Sequence, residues 1–409
     1  MSTATRLQPI RTIAEAGTYV TRVCFKHGPP VKTGIELEWL VIDPHDPDRR
    51  PDVQTLATLL GPHAPATLAA GSPGAPLPHG GLVTVEPGGQ LEISSVPHLS
   101  VPDLMTAMSA DIQALRALLA PAGFELSEAA ADPHRLPHRI LTTPRYDAMA
   151  DRFDEFGPAG RVMMCSTAAA QVCLDLGTGA EAADRWRAAN QLGPVLLAAF
   201  ANSPRTAGDL VPAAASTRMA AWWQLDPRRT RPPASYALDG YAEWVLDTPM
   251  LARRRDTGDW RVPPLTLREW IDSGGQLSTA DLDLHLSLLF PPVRPQGYLE
   301  IRYLDAQPGE EWMAPLALLA ALFAGPERVR QVLRCCAEGA DRWRQATEHG
   351  LADPVLRAIA AHLLDIAILG LDRLGLPRAV REQVDRVLHR RLCEGVSPGS
   401  EALLLEGRR

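Results

Sequence analysis

The sequence predicts an α+β fold: one antiparallel β-sheet with an acidic face, helices packed on its back, and a helical C-terminal region. Three observations carry that reading. Segments 33–43, 81–95, 163–177 and 297–305 each set acid or amide side chains on one face and aliphatic ones on the other. Gly, Pro and Asp-Pro punctuation bounds them, as it bounds strands. After Glu311 the chain is almost wholly apolar-striped at helical spacing.

The elements follow in order. Thr12 to Phe25 has Ile13, Ala16, Val20 and Val23 at helical spacing and ends before His27-Gly28-Pro29-Pro30. From Thr33 to Asp43, Ile35, Leu37, Trp39 and Val41 alternate with Glu36, Glu38, Leu40 and Ile42. Alternation puts Glu36 and Glu38 on one face, about 6–7 Å apart at about 3.3 Å per residue. Residues 44–80 read as a loop with a helix embedded at 53–60. Next, 81–95 reads as strand, Pro87-Gly88-Gly89 turn, strand, with Gln90, Glu92 and Ser94 on one face and Glu86 at the lip of the turn. Val101 to Ala120 is a helix capped by Ser100 and stopped at Pro121-Ala122-Gly123. Arg145 to Phe156 is a short helix.

Met163 to Gly177 reads as a third strand, Gln171, Cys173 and Asp175 facing one way. Glu181 to Ala201 is helical and split by Gly193-Pro194. Ser216 to Thr230 concentrates Arg218, Trp222, Trp223, Asp226, Arg228 and Arg229. Arginine clasps carboxylates or phosphates through two parallel bonds. The bland alternative is a helix whose Trp pair is core and whose arginines are solvated. Residues 251–280 are polar and read as a loop or lid. In the last strand, 297–305, Glu300 and Arg302 share a face, and Leu299, Ile301 and Tyr303 lie opposite. Helical pieces then cover 316–323, 329–347, 354–371 and 378–392.

Composition narrows function. With 409 residues, 46% of them hydrophobic and 22% charged, the chain can bury a large core. A net charge of −7 gives no global case for nucleic-acid binding. Residues 1–10 lack the basic-then-apolar layout of a signal peptide. The longest apolar stretch, 354–371, is broken by Arg357, His362 and Asp365, so no membrane span is expected. Cys24, Cys165, Cys173, Cys335, Cys336 and Cys393 lack metal-type spacing and are expected to be reduced. A cytoplasmic location follows. No P-loop, dinucleotide fingerprint, H-E-x-x-H helix or G-x-S-x-G elbow occurs.

If the strands share one antiparallel sheet, Glu36, Glu38, Glu92, Gln171 and Glu300 converge on one surface, with Arg302 its one built-in cation. Acids packed on one face repel unless water or a bound cation offsets them. Oxygen-only donors favour Mg²⁺ or Mn²⁺ over zinc. A metal-charged acidic cup with an arginine suits a nucleoside triphosphate.

The ordered set Gly-Ile-Glu-Leu-Glu at 34–38, Glu-Pro-Gly-Gly-Gln-Leu-Glu-Ile-Ser at 86–94, Gln-Val-Cys-Leu-Asp at 171–175, the array from Ser216 to Thr230 and Leu-Glu-Ile-Arg-Tyr-Leu-Asp at 299–305 resembles the plant-like family of glutamate–cysteine ligases. Residues 163–173 are most similar to its actinobacterial branch, which makes γ-glutamylcysteine for ergothioneine synthesis. The resemblance implies a curved, glutamine-synthetase-like antiparallel sheet whose concave face binds ATP and Mg²⁺. It implies that glutamate is activated as γ-glutamyl phosphate and that the cysteine amine displaces phosphate.

By motif position, Glu36, Glu38, Glu86, Glu92 and Glu300 would hold metal, with Gln171 a neutral ligand or neighbour. Arg302 would contact the transferring phosphoryl group. Arg218 and Arg229 would hold substrate carboxylate or phosphate, and Trp222 would shape the pocket. Cys173 stands where plant relatives usually carry Asn, so no polar substrate contact is assigned to it. The whole chain reads as a single catalytic domain, with the sheet and site in 30–315 and a helical extension in 316–409. The alternatives are a ligase of the same class with another amine acceptor, and a non-catalytic binder on the same fold.

Overall fold

The computed structural model describes residues 8–233, 236–255 and 258–406. Part of the segment read for a leader, residues 1–7, and residues 256 and 257 of the expected lid lie outside them.

The sheet has six strands, all pairs antiparallel. They are β1 (Thr33–Trp39), β2 (Leu82–Val85), β3 (Leu91–Ser94), β4 (Ala169–Asp175), β5 (Val293–Pro295) and β6 (Tyr298–Asp305). Their spatial order is β2-β3-β1-β4-β6-β5. Alternation divides the faces as the sequence predicts. Ile35, Leu37, Leu91, Ile93, Val172, Leu174, Leu299 and Ile301 are buried in the main core. Helix α1 (Val101–Leu119) carries its Leu104, Met108, Ile112 and Leu115 stripe into that core.

Several boundaries differ from expectation, each for a local reason. The first strand breaks at Leu40. Val41–Ile42 leaves the sheet to pair with Glu125–Leu126. Met163–Cys165 is not strand but the end of helix α2 (Ala159–Cys165). A turn presses against that end: a Cβ on Gly88 would sit 2.3 Å from the Cys165 carbonyl oxygen, so only glycine fits. Strand β5 was hidden by its prolines; an edge strand tolerates them because one side needs no donor. In the expected lid, Leu267–Asp272 is helical and Leu277–Ser278 pairs with Pro9–Ile10. The 329–347 stretch is two helices, Pro326–Cys336 and Trp343–His349.

One irregularity matters for the site. Ile301 pairs with Val172 but Leu304 pairs with Ala170, so β6 carries one extra residue between them. Such a bulge resets the alternation. Leu304 joins Ile301 in the core, and Asp305, opposite Ala169, moves to the polar face.

Gly193–Ala199 begins with the predicted Gly-Pro and packs beneath Trp343. Helix Pro354–Arg373 is, among the described residues, the one helix long and apolar enough to cross a membrane. It packs on Met313–Leu322, Gly370 lying against Ala321, and buries Leu356, Ile359, Leu363 and Ala367.

A Cβ on Gly193 would fall 1.8 Å from Trp343 Cη2. Gly193→Ala should therefore cost about 1–3 kcal/mol by overpacking. Urea unfolding should show a lower midpoint with an unchanged slope.

Candidate active site

The polar face of the sheet opens into a cavity of about 230 Å³. Glu36, Glu38, Glu86, Glu92 and Gln171 line it on the sheet side. Arg145, Tyr146, Met149, Met163, Met164, Arg218, Trp222, Phe290, Arg294 and Arg302 close it. The pairing register explains the convergence. Glu38 sits opposite Glu92, which sits opposite Thr84. Glu36 sits opposite Gln171, and Glu300 lies between Cys173 and Arg294.

Neutral donors share the acid charge on one side. The Ala169 N–H donates to Glu38 at 2.8 Å. Gln171 Nε2 donates to Glu38 at 2.7 Å and to Glu92 at 3.3 Å. The Thr84 hydroxyl donates to Glu92 at 2.6 Å. These bonds do not offset burial. Burial first, then neighbouring Glu92 and Glu86, push the Glu38 carboxyl up to about 8. Burial and Glu92 push Glu86 up to about 7. Glu36 and Glu92 move the same way, again with burial the first cause. Gln171 Oε1 is buried without a partner among the described residues.

Glu300 behaves in the opposite sense. It is buried, which alone would raise its carboxyl, but Arg294 and Arg302 outweigh burial and bring it down to about 2. Arg294 grips it with two parallel bonds of 2.6 and 3.0 Å. Arg302 Nη1 donates to it at 3.0 Å, while Arg302 Nε is buried without a partner among the described residues. Arg302 is therefore not the single cation at this face. Arg294 stands on it beside Glu300, and Arg145 and Arg218 reach the cavity from helices; the sequence reading missed Arg294 and Arg145. Arg294 was readable in hindsight, because Val293-Arg294-Pro295 and Tyr298 to Asp305 flank a Gln-Gly turn with Gly297 at φ +80°.

Arg218 and Trp222 come from one short helix, α3 (Thr217–Trp223), capped by Ser216. The Arg218 and Arg302 guanidinium carbons lie 5.1 and 5.6 Å from the centre of the Trp222 ring. Phe290 meets that ring edge-on. Cation–π contact thus aligns both cations along the cavity wall. Trp223, on the other side of the helix, packs on Trp343.

Arg229 is outside this constellation, and its expected role as a substrate clasp is corrected. Its guanidinium is buried and donates to the Leu288 and Pro249 carbonyls at 2.7 and 2.6 Å. It ties two loops together and offers no free fork.

The donor chemistry fits a hard divalent cation: carboxylates made basic by burial and then by crowding, with one amide oxygen left over. Among the described residues, no three acid, histidine or cysteine groups already stand close enough to hold a metal ion. Arginines opposite the acids give the cavity the means to hold an anion at the same time.

Comparison with known proteins gives the family. Residues 32–403 match the glutamate–cysteine ligase family 2 (GCS2). Glutamate–cysteine ligase EgtA of Mycobacterium tuberculosis is 36% identical over 387 residues, 91% of this chain and 87% of that one. EgtA of Mycolicibacterium smegmatis is 35% identical, over 86% and 83% of the two chains. The chloroplastic glutamate–cysteine ligase of Arabidopsis thaliana is more distant, at 28% over 78% and 65%. In fold, the chain is similar to the crystal structure of glutamate–cysteine ligase from Francisella tularensis in complex with AMP. There the TM-score is 0.54 at 12% identity, over 93% of this chain and 86% of that one. The chain belongs to glutamate–cysteine ligase family 2.

Proposed function

We propose that this enzyme joins the γ-carboxylate of L-glutamate to the amine of L-cysteine at the expense of ATP. The product is γ-glutamylcysteine, destined for ergothioneine synthesis, and the reaction runs in the cytoplasm. One observation carries the reading: crowded carboxylates and a row of arginines face each other across a single cavity, in a chain 36% identical to EgtA over most of its length. Mg²⁺, or Mn²⁺, would be held by Glu36, Glu38, Glu86 and Glu92, with Gln171 Oε1 beside them. When bound it supplies charge neutralisation of the phosphates.

The chain's own residues do the positioning. Arg302 lines the cavity, its buried Nε has no partner among the described residues, and it is assigned to the transferring phosphoryl group. Arg218 is assigned to a substrate carboxylate or phosphate, with Trp222 as the wall beside it. Glu300 lines up Arg294 and Arg302 and so keeps two cations together without mutual repulsion. Its side chain is held by both, so a metal contact requires one of them to let go. In-line transfer asks little covalent work of the protein beyond alignment and charge stabilisation. Residues 1–409 act as one catalytic domain, with the site inside 30–315 and the helices of 316–409 bracing it.

The decisive experiment is incubation with ATP, Mg²⁺, glutamate and a panel of amines, read by product mass and ADP release. γ-Glutamylcysteine as the main product is expected. Preference for another amine would redirect the reading to a related ligase, and ATP binding without ADP release would mark a binder.

Glu38→Ala should lower kcat about 10²–10³-fold, the usual loss when one preorganised electrostatic group is removed. Circular dichroism should report an unchanged fold. Near-normal turnover at saturating Mg²⁺ would remove Glu38 from the cation site.

A pH test follows from Glu86. Its folded-state carboxyl titrates near 7, against 4.5 for the free group, so the folded state binds the extra proton. The contribution of Glu86 to stability is then fully present below 4.5 and is lost as pH rises through 7. In EDTA, Glu86→Gln should stabilise the protein by about 1–3 kcal/mol at pH 8 and by much less at pH 5. Thermal melts at the two pH values check it; an equal shift at both would contradict the charge assignment.

A further inference from the structure

Asp305 is fully buried at the end of β6, on the polar side of the sheet only because the bulge puts it there. Its carboxylate gathers one corner of the site. Oδ2 accepts from the Asn202 N–H at 2.8 Å and from the Ser203 hydroxyl at 2.6 Å. Oδ1 accepts from the Ser216 hydroxyl at 2.9 Å and lies 3.6 Å from Arg218 Nη1. The same two serines hold the helix that carries Arg218. Ser216 Oγ accepts from the Met219 N–H at 3.2 Å, and Ser203 Oγ from the Arg218 N–H at 3.1 Å. Arg218 Nη2 is fixed from the other side, donating to the Arg302 carbonyl at 2.8 Å.

Arg218 thus feels two carboxylates: Asp305, 3.6 Å away and outside the cavity lining, and Glu38, which lines the same cavity as Arg218. A buried guanidinium needs a carboxylate to offset its desolvation, and losing one partner leaves its charge uncompensated. Without the charge on Asp305, Arg218 is drawn toward Glu38 and collapses onto the acid wall. We propose that Asp305 is a positioning residue: it holds Arg218 back from Glu38, open to the cavity, and so sets affinity for the anionic substrate group that Arg218 receives. The proposal rests on the reading of Arg218 as a substrate contact.

The test compares wild type, Arg218→Gln, Asp305→Asn and the double variant, varying ATP, glutamate and cysteine in turn. Arg218→Gln should raise the KM of one anionic substrate about tenfold or more. Asp305→Asn should raise the KM of that same substrate about three- to tenfold, with kcat within about threefold of wild type. The double variant should be no worse than Arg218→Gln alone, because the two residues act in series. Independent, multiplying effects would overturn the proposal, as would a fall in kcat at unchanged KM. If Arg218→Gln leaves every KM unchanged, the reading of Arg218 itself fails, which is a different outcome. Should Asp305→Asn not fold, Ser203→Ala removes one bond of the same chain and leaves the carboxylate. It should raise the same KM to a smaller degree, and unaltered kinetics would count against the proposal.

Discussion

Crowding of negative charge on one face of a sheet is the constraint on which the rest of this structure depends. Strand register brings Glu36, Glu38 and Glu92 together, the adjoining turn adds Glu86, and burial makes each harder to ionise. Such a face is unfavourable for a resting protein. It persists because the opposite face of the same strands is continuous core, and register cannot slip by one residue without exposing that core. The aliphatic side of the sheet therefore enforces the acid side.

The arginines answer the acids in two ways. Arg294 and Arg302 neutralise Glu300 so thoroughly that it stays charged. Arg218, Arg145 and the rest of Arg302 line the far wall instead, where aromatic rings and backbone carbonyls hold them. Glu300 and Asp305 take the ion pairs, and among the described residues Glu36, Glu38, Glu86 and Glu92 make none with these arginines. That separation suits a cavity that must take a cation and a polyanion together.

Within the fold, the elements best read from sequence were those whose burial is one-sided. The 81–95 hairpin, the Val101–Leu119 helix and the Gly193 break appear close to where periodicity and capping put them. The misreadings cluster where local pattern and tertiary contact disagree. Met163 to Cys165 is apolar on every side, so alternation could not separate helix end from strand. Arg229 looked like a substrate clasp because residue type alone cannot say whether a fork meets a ligand or two carbonyls.

The sequence by itself determined the two-faced strands, and with them the acids that share a surface, because side-chain alternation is a local property of the backbone. Only the tertiary structure decided which cations meet those acids. Arg294 reaches Glu300 by a hairpin register, and Arg218 arrives on a helix far along the chain. Asp305 reaches the polar face through a bulge that reverses its parity. The last two placements depend on contact between distant segments, and no single segment's pattern encodes its partner.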